Sequence, residues 1–429
     1  MPHRISRFVI TCGAMSSAAT TLKTSEPSRL SHDRALAAAI GLIAAIWFTL
    51  LSGWLGITPG SVVIKRPNVM FSSDTSAWIE RFAGDTKLPR AFPYAHLHPL
   101  EELMWRPATR ALYHLTKGLV ASDYAKLLAA RLLVAIVDAT GVGFLALLAL
   151  RSEVNNMKLI LLFLTYLLFT SNAVASLPEH WGITNGLLSI TFVAPVLMAS
   201  VQSKTIFLLG MVFLAGGTIL TNTVFPLVSL IYYSVPKRLK IVLMVALILA
   251  GLGLVIFLYS RSESIHWFVN RYLNVRLIHH PLQASIYAIL ALVFPAVGPT
   301  PHVLRYPGFD MVSYEPWRFT SYTGIQAVAA VAWLALLFGC GFKGFKDDRT
   351  RPYAWLLVIW LLFNVVLHNI WGDEFLLYSP NWSWALMGLV VLGARHFSRA
   401  AVATMAIPVI VCQVHTLLAI KSALQTITQ

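Results

Sequence analysis

Acidic, histidine and aromatic residues are concentrated in a few polar segments that separate long apolar runs. In the first segment, Asp74, Trp78 and Phe82 have the i, i+4, i+8 spacing that puts three side chains on one face of a helix. A carboxylate accepts hydrogen bonds from hydroxyl groups, and an aromatic ring packs on the apolar face of a sugar or lipid headgroup. The same residues also fit a helix that is capped by Asp74 and anchored at a membrane surface by its aromatic residues.

A second polar group follows in residues 94–107 and contains His96, His98, Glu101 and Glu102. Imidazole and carboxylate groups can bind a divalent cation such as Mg²⁺ or Mn²⁺. Two histidines separated by one residue suit an extended strand more than a helix, however, and the spacing fixes no third ligand. This group therefore has three possible roles. It could bind a metal ion, form hydrogen bonds to a substrate, or simply lie at a membrane interface.

Ionisable residues also lie inside or beside apolar runs. Arg131 and Asp138 fall on one face of a helix, about 10 Å apart along its axis. Charged groups within a membrane span are costly unless they are paired or hydrated, so they indicate a polar cavity, although Arg131 could also snorkel to the surface. Glu179 and His180 occupy a short turn between two apolar runs, which either lines a site or is simply hydrated.

Basic residues are frequent in the long polar segment 261–322. Clustered Arg and His beside a membrane suit a phosphate or diphosphate headgroup, and retention at the bilayer surface is the alternative. The residues expected to bind such a phosphate are Arg131, Arg271, Arg276, His279 and Arg305. In the segment 371–382, Asp373 and Glu374 again occur beside aromatic residues. Several segments with the same chemistry indicate one shared site.

The composition indicates what must hold these residues in place. Of the 429 residues, 57% are hydrophobic and only 12% are charged, and the mean hydropathy is +0.69. These values exclude a soluble globular fold and predict an all-α polytopic membrane protein with about ten or eleven transmembrane helices. The net charge of +15 is distributed in short clusters between apolar runs, as the positive-inside rule requires, so we expect no nucleic-acid partner.

The apolar runs divide the chain into a disordered cytosolic tail, residues 1–34, and a single transmembrane domain, residues 35–429. The expected spans are 35–57, 127–150, 159–177, 182–201, 205–235, 240–260, 323–342, 353–370, 383–394 and 400–420. Asn222 and Pro226 interrupt the run 205–235, so we expect a broken hairpin whose ends lie on the same side. The segment 284–298 is short, and we expect it to be re-entrant or interfacial.

The distribution of Lys and Arg predicts the orientation. Basic clusters next to the spans are expected in the cytoplasm, which places the N-terminus inside and the protein in the inner (plasma) membrane. The large outer loops are then 58–125, 261–322 and 371–382, and the first of them contains an interfacial helix around Leu100–Leu115.

The order of these features resembles the GT-C superfamily, which comprises integral-membrane glycosyltransferases such as protein O-mannosyltransferases and the aminoarabinose transferase of lipid A. The resemblance covers roughly the first half of the chain. It is carried by Asp74 and Trp78 after the first span, His98-Pro99 before an amphipathic helix, Ala130-Arg131-Leu132 at the start of a span, and the turn Pro178-Glu179.

The resemblance implies an inverting hexosyl- or pentosyltransferase that acts at the outer face. The sugar would move from a polyprenyl-phosphate-linked donor in the lipid bilayer to a glycan, lipid or protein acceptor, with Asp74 as the general base. A second acid is common in the superfamily, and Glu101, Glu102 and Glu179 are the candidates for it here. The residues that would bind sugar or acceptor are Trp78, His96, His98, His180, Asp373 and Glu374.

Two other classes of membrane protein share parts of this pattern. A transporter or flippase for a lipid-linked glycan would favour an internal repeat and charges near the bilayer midplane, whereas here the charges crowd one face. A polymerase or ligase of surface polysaccharide would need an outer loop that is rich in Arg and contains a His, and the segment 261–322 has this composition. The sequence leaves this last reading open.

Overall fold

The computed structural model of the chain describes residues 27–65, 69–71, 75–83, 101–234, 281–306, 309–314, 322–370 and 375–428. The helices of the first half are α1 (Pro27–Trp54), α2 (Val62–Lys65), α3 (Thr75–Ala83), α4 (Glu101–Thr116), α5 (Ser122–Arg151), α6 (Asn156–Leu167), α7 (Thr170–Ala175), α8 (His180–Leu197), α9 (Val201–Thr218) and α10 (Val224–Tyr233). The second half contains α11 (Pro281–Val293), the strands β1 (His302–Tyr306) and β2 (Phe309–Ser313), α12 (Gly324–Lys346), α13 (Arg351–Ile370), α14 (Phe375–Tyr378), α15 (Pro380–Gly393) and α16 (Arg399–Thr428).

Six helices of the described part, α1, α5, α9, α12, α13 and α16, are long and apolar enough to cross a membrane. Shorter apolar helices cover Asn156–Leu167 and Leu220–Tyr233. The protein is therefore an all-α polytopic membrane protein, as its composition predicts. The expected total of ten or eleven spans stays a prediction, since the run 240–260 lies outside the described residues.

The first helix begins earlier than the sequence analysis predicts. α1 starts at Pro27, so the prediction of a disordered tail over 1–34 is wrong for residues 27–34. Proline is well tolerated in the first helical turn because its missing N–H has no intrahelical partner to lose there. Residues 27–34 thus extend the apolar helix by about two turns instead of preceding it.

The expected span 159–177 is interrupted, so the prediction of one continuous helix is wrong. α6 ends at Leu167 and α7 begins at Thr170. At the break, some backbone groups lose their hydrogen-bond partners within the helix, and a side chain takes the place of one such partner. Asn172 Nδ2 donates to the Tyr166 carbonyl over 2.6 Å. The Ser171 amide donates to the Pro295 carbonyl at 3.1 Å, which joins this break to the chain after α11.

The chain that follows α11 is buried although it is not helical; Phe294, Ala296 and Val297 are at most 1% exposed. Side chains of α12, α15 and α16 donate to carbonyls around it: Trp333 to Leu292 at 2.8 Å, Trp382 to Ala291 at 2.9 Å, Gln326 to Gly298 at 2.9 Å and Gln413 to Ala296 at 3.0 Å. Irregular backbone in a membrane protein requires such internal partners. This arrangement agrees with the re-entrant reading of 284–298.

The broken hairpin predicted for 205–235 is present. α9 and α10 pack against each other and are joined by a 3-10 turn, Leu220–Thr223, at the interruption seen in the sequence. Their far ends meet, because Lys204 Nζ lies 5.0 Å from the centre of the Tyr233 ring and the Thr205 and Ser234 hydroxyls are 3.2 Å apart. Both ends therefore lie at the same side of the helix bundle, as predicted.

Two further helices, α5 and α8, approach closely at glycine residues. A Cβ on Gly186 would clash with the Val137 carbonyl oxygen, and one on Gly141 would lie 2.7 Å from the Gly186 Cα. Small residues at such crossings let helix backbones approach in a membrane. This close crossing brings Asn185 of α8 next to Asp138 of α5.

Strands β1 and β2 form a two-stranded antiparallel hairpin, which the sequence analysis did not predict. It joins the segment 261–322 to the first loop, because the Phe71 amide donates to the Val312 carbonyl at 3.0 Å and the Val312 amide to the Val69 carbonyl at 2.8 Å. The rings of Phe71 and Tyr314 stack with centroids 4.9 Å apart. The two segments expected on one side of the membrane are thus in contact.

A polar cluster joins α6 to the ends of α12 and α15 at the opposite end of the bundle. Lys158 Nζ donates to the carbonyls of Ala394 and Phe397, both at 3.0 Å, and so satisfies acceptors left free where α15 ends. Arg395 forms an ion pair with Asp347, which follows α12. All these residues belong to loops or helix ends that the sequence analysis expects in the cytoplasm.

Candidate functional site

The candidate site is built where α3 of the first loop contacts the turn before α8. The Thr75 hydroxyl donates to Glu179 Oε1 with 2.5 Å between the oxygens. Both side chains are buried; Thr75 is 0% and Glu179 1% exposed. Glu179 is therefore held next to the residue that directly follows Asp74 in the sequence, and the structure of Asp74 itself lies outside the described residues.

The helix predicted after Asp74 exists as α3, and its aromatic residues face the bundle. Trp78 and Phe82 are 5% and 0% exposed, with ring centroids 5.4 Å apart. Phe82 packs in a cluster with Leu133 and Ile183 and so contributes to the core. Trp78 also contacts the His180 ring edge-on, at 4.7 Å, which makes it part of the candidate site.

A row of aromatic and imidazole rings extends from α3 across the bundle. We call it the aromatic row, and it consists of Trp78, His180, Trp181, Tyr378, His368 and Trp382. Neighbouring ring centroids are 4.7, 4.1, 5.3, 4.7 and 5.1 Å apart in that order. It connects α3, α8, α14, α13 and α15, so residues that are far apart in sequence form one continuous cluster of rings. His180 and His368 are both buried.

The interfacial helix predicted around Leu100–Leu115 corresponds to α4, Glu101–Thr116. Trp105 Nε1 donates to the Thr218 hydroxyl at the end of α9 over 3.0 Å, which fixes α4 against the α9–α10 hairpin. Glu101 and Glu102 form the first turn of α4, and only their backbone is described. Asn222, in the turn of the hairpin, donates to Asn381 Oδ1 at 3.4 Å and so reaches the start of α15.

Arg131 is buried, with 3% of its surface exposed, so the snorkelling alternative is wrong. Its guanidinium lies against α1, since a Cβ on Gly53 would be 3.5 Å from Nη1. Among the described residues, Nε and Nη2 have no hydrogen-bond partner. A guanidinium with two such N–H groups is suited to an anionic oxygen ligand.

The hairpin residue Arg305, by contrast, is exposed on β1, in register with Asp310 of β2. The described contacts do not bring it to Arg131. In the residue that follows β2, burial raises the pKa of the Tyr314 phenol well above its ordinary value, so this hydroxyl remains protonated and can donate a hydrogen bond.

Several predicted site residues lie outside the described part of the chain: Asp74, His96, His98, Arg271, Arg276, His279, Asp373 and Glu374. The described residues contain no group of three His, Cys, Asp or Glu side chains that could hold a metal ion. Divalent-cation binding by His96, His98, Glu101 and Glu102, one of the three alternatives for this group, therefore stays untested.

The sequence analysis missed two residues, one of the site and one of the interior. His368 belongs to the aromatic row, yet in the sequence it is a single polar residue near the end of an apolar helix. Asn185 lies in the middle of α8 and binds Asp138. The sequence could have indicated Asn185, because a side-chain amide within an apolar run is rarely buried without a hydrogen-bond partner.

Comparison of the chain with protein-family models, with curated proteins and with solved structures gives no match.

Proposed function

We propose that the protein is a membrane glycosyltransferase of the GT-C type, which transfers a sugar from a polyprenyl-phosphate-linked donor to an acceptor at the outer face. The hydrogen bond from Thr75 to Glu179 is the observation that carries the proposal. It joins the first loop to the Pro178-Glu179 turn, two of the four motifs on which the resemblance rests. These motifs are separated by about a hundred residues in sequence, and one active site requires them to meet.

Two carboxylates take part in the proposed reaction. Asp74 removes the proton from an acceptor hydroxyl as its oxygen attacks the anomeric carbon, and the bond from that carbon to the donor phosphate breaks with inversion. Glu179 is the second acid, and its bond to Thr75 holds it next to the residue that follows the base in the sequence. The aromatic row supports the proposal because aromatic rings bind the apolar faces of sugars.

The donor phosphate leaves with an additional negative charge, which a guanidinium stabilises. Arg131 is our candidate for this role because it is buried and two of its N–H groups have no partner among the described residues. Arg305, on the exposed hairpin, is assigned to the approach of the donor headgroup. Water must be kept out during transfer, since it would hydrolyse the donor. The backbone hydrogen bonds between the first loop and the hairpin support this part of the proposal, because they hold two loops together that could cover the site.

A transfer assay with the purified protein and a panel of polyprenyl-phosphate sugars tests the proposal. Asp74→Asn and Glu179→Gln keep the shape of each side chain and remove its charge, so each should lower turnover by about 10²-fold or more. Glu153→Gln, in the exposed turn after α5, is the matched control and should retain full turnover. Absence of transfer from every donor by the unmodified chain, or full turnover in both site variants, would contradict the proposal.

One observation favours a transporter as the second candidate function. Asp138 lies near the middle of α5 and is 1% exposed, and a buried carboxylate at that depth suits an ion-coupled transport step. Proteoliposomes loaded with a fluorescent lipid-linked glycan would distinguish the two functions. Movement of the lipid across the bilayer without sugar transfer would favour the transporter.

A further inference from the structure

An apolar groove separates the first and last described helices. It has a volume of about 400 Å³ and lies between α1 and α16. Its lining consists of Trp47, Leu50, Leu51, Trp54, Leu168, Val414, Leu417 and Leu418. The volume is in the range of small-molecule sites, roughly 300–1,000 Å³, and both helices are candidate membrane spans. The groove therefore faces the acyl chains of the bilayer.

One end of this groove is cationic. Lys421 Nζ lies 4.5 Å from the centre of the Trp54 ring. Lys421 follows Val414, Leu417 and Leu418 at helical spacing, so its ammonium group is on the face of α16 that lines the groove. No carboxylate among the described residues forms a salt bridge with Lys421, whose charge is thus available to a ligand.

The other end of the groove is apolar. Trp47 uses its indole N–H to donate to the Leu167 carbonyl at 2.9 Å, so it is fixed in the wall. Trp47 and Trp54 are separated by two turns of α1, about 10 Å. Trp54 is the last residue of α1, where a tryptophan typically marks the membrane interface. The groove thus runs from an interfacial lysine into the apolar part of the membrane.

We propose that this groove binds an anionic phospholipid, with one acyl chain along α1 and α16 and the phosphate at Lys421. A ligand with an apolar chain and one anionic head complements a groove with apolar walls and one cationic end. Trp54 packs against the headgroup region and keeps the ammonium group in place by cation–π attraction. The proposal does not rest on the proposed glycosyltransferase function, since none of the groove residues belongs to the candidate site.

Quenching of tryptophan fluorescence by brominated lipids tests the proposal. The full-length protein in detergent is titrated with dibrominated phosphatidylglycerol and with dibrominated phosphatidylcholine of the same chain length. The signal of Trp54, at the cationic end of the groove, is the part that is lost in Trp54→Phe. We expect phosphatidylglycerol to quench this signal at a concentration about fivefold lower, which corresponds to one lysine near an anionic headgroup.

Two lysine variants make the test specific. Lys421→Gln should remove the preference for phosphatidylglycerol and leave quenching by phosphatidylcholine unchanged. Lys346→Gln is the matched control, because Lys346 Nζ also lies 4.5 Å from an aromatic ring, that of Phe342, on a different helix. It should leave the preference intact.

Three outcomes would overturn the proposal. The first is equal quenching by both lipids in the unmodified chain, and the second is an unchanged preference in Lys421→Gln. The third is displacement of bound phosphatidylglycerol by an equimolar amount of a polyprenyl phosphate, which would assign the groove to an isoprenoid lipid. Circular dichroism of each variant verifies that the fold is retained.

Discussion

Asn185 donates a hydrogen bond to Asp138 across the close crossing of α8 and α5, with 2.6 Å between Nδ2 and Oδ1. The hydroxyls of Tyr166 and Ser383 both donate to Asn185 Oδ1, each at 3.3 Å. Four helices therefore meet at one buried amide. Asp138 Oδ2 has no partner among the described residues, which makes Asn185 the main group that compensates the buried carboxyl.

Asn185→Leu should destabilise the protein by about 1 kcal/mol, because it leaves a buried carboxyl group without its donor. The measurement is thermal unfolding in detergent. Ser189→Ala is the control, since the Ser189 hydroxyl donates to the Asn185 carbonyl within α8 and not to the Asp138 carboxyl, so its loss should have a smaller effect. In the double variant Asp138→Leu/Asn185→Leu, part of the loss should be recovered. An Asn185→Leu variant no less stable than Ser189→Ala would contradict this role.

The predicted orientation can be tested by labelling engineered cysteines. Ser313 ends β2 on the side expected to be outside, and Ser398 precedes α16 on the side expected to be cytoplasmic. In intact cells, a membrane-impermeant thiol reagent should label Ser313→Cys and not Ser398→Cys. Cys340 and Cys412 are buried, so their background should be low, and Cys12 is replaced by Ser. Labelling of Ser398→Cys and not of Ser313→Cys would show that the topology is the inverse of the predicted one.

Donor affinity should depend on the planar guanidinium of Arg131. Arg131→Lys keeps the charge but loses bidentate geometry, so we expect a loss of affinity of about tenfold for a polyprenyl-phosphate sugar. Arg305→Lys should also weaken binding, although less, because Arg305 is exposed and more strongly screened. Equilibrium binding of a fluorescent donor analogue gives both values. Unchanged affinity in both variants would remove the argument for a lipid-phosphate substrate.

Lys158 should contribute to stability through the carbonyls at the end of α15. Lys158→Met retains the apolar stem but removes the donors, and we expect a loss of about 1–3 kcal/mol because buried carbonyls are left unpaired. Lys343→Met, at an exposed position of α12, is the control and should change the stability by less than about 0.5 kcal/mol. Both are measured as shifts in thermal unfolding. Equal shifts for the two variants would rule out the proposed role of Lys158.

The sequence by itself determined that the chain is an all-α membrane protein and where several of its elements lie. The 205–235 hairpin and the helices α3 and α4 were all predicted, because hydropathy, helical spacing and helix-breaking residues are properties of short stretches of chain. The position of Glu179 and His180 in a short turn between two apolar runs likewise identified them as candidate site residues.

Only the tertiary structure decided which of these residues meet. The contact of Thr75 with Glu179, the aromatic row and the network around Asp138 join elements that are distant in sequence, and no local pattern specifies such contacts. The break between α6 and α7 was missed for the same reason. An apolar run reads as one helix, whereas the partner that permits the break, the Pro295 carbonyl, comes from a segment more than a hundred residues away.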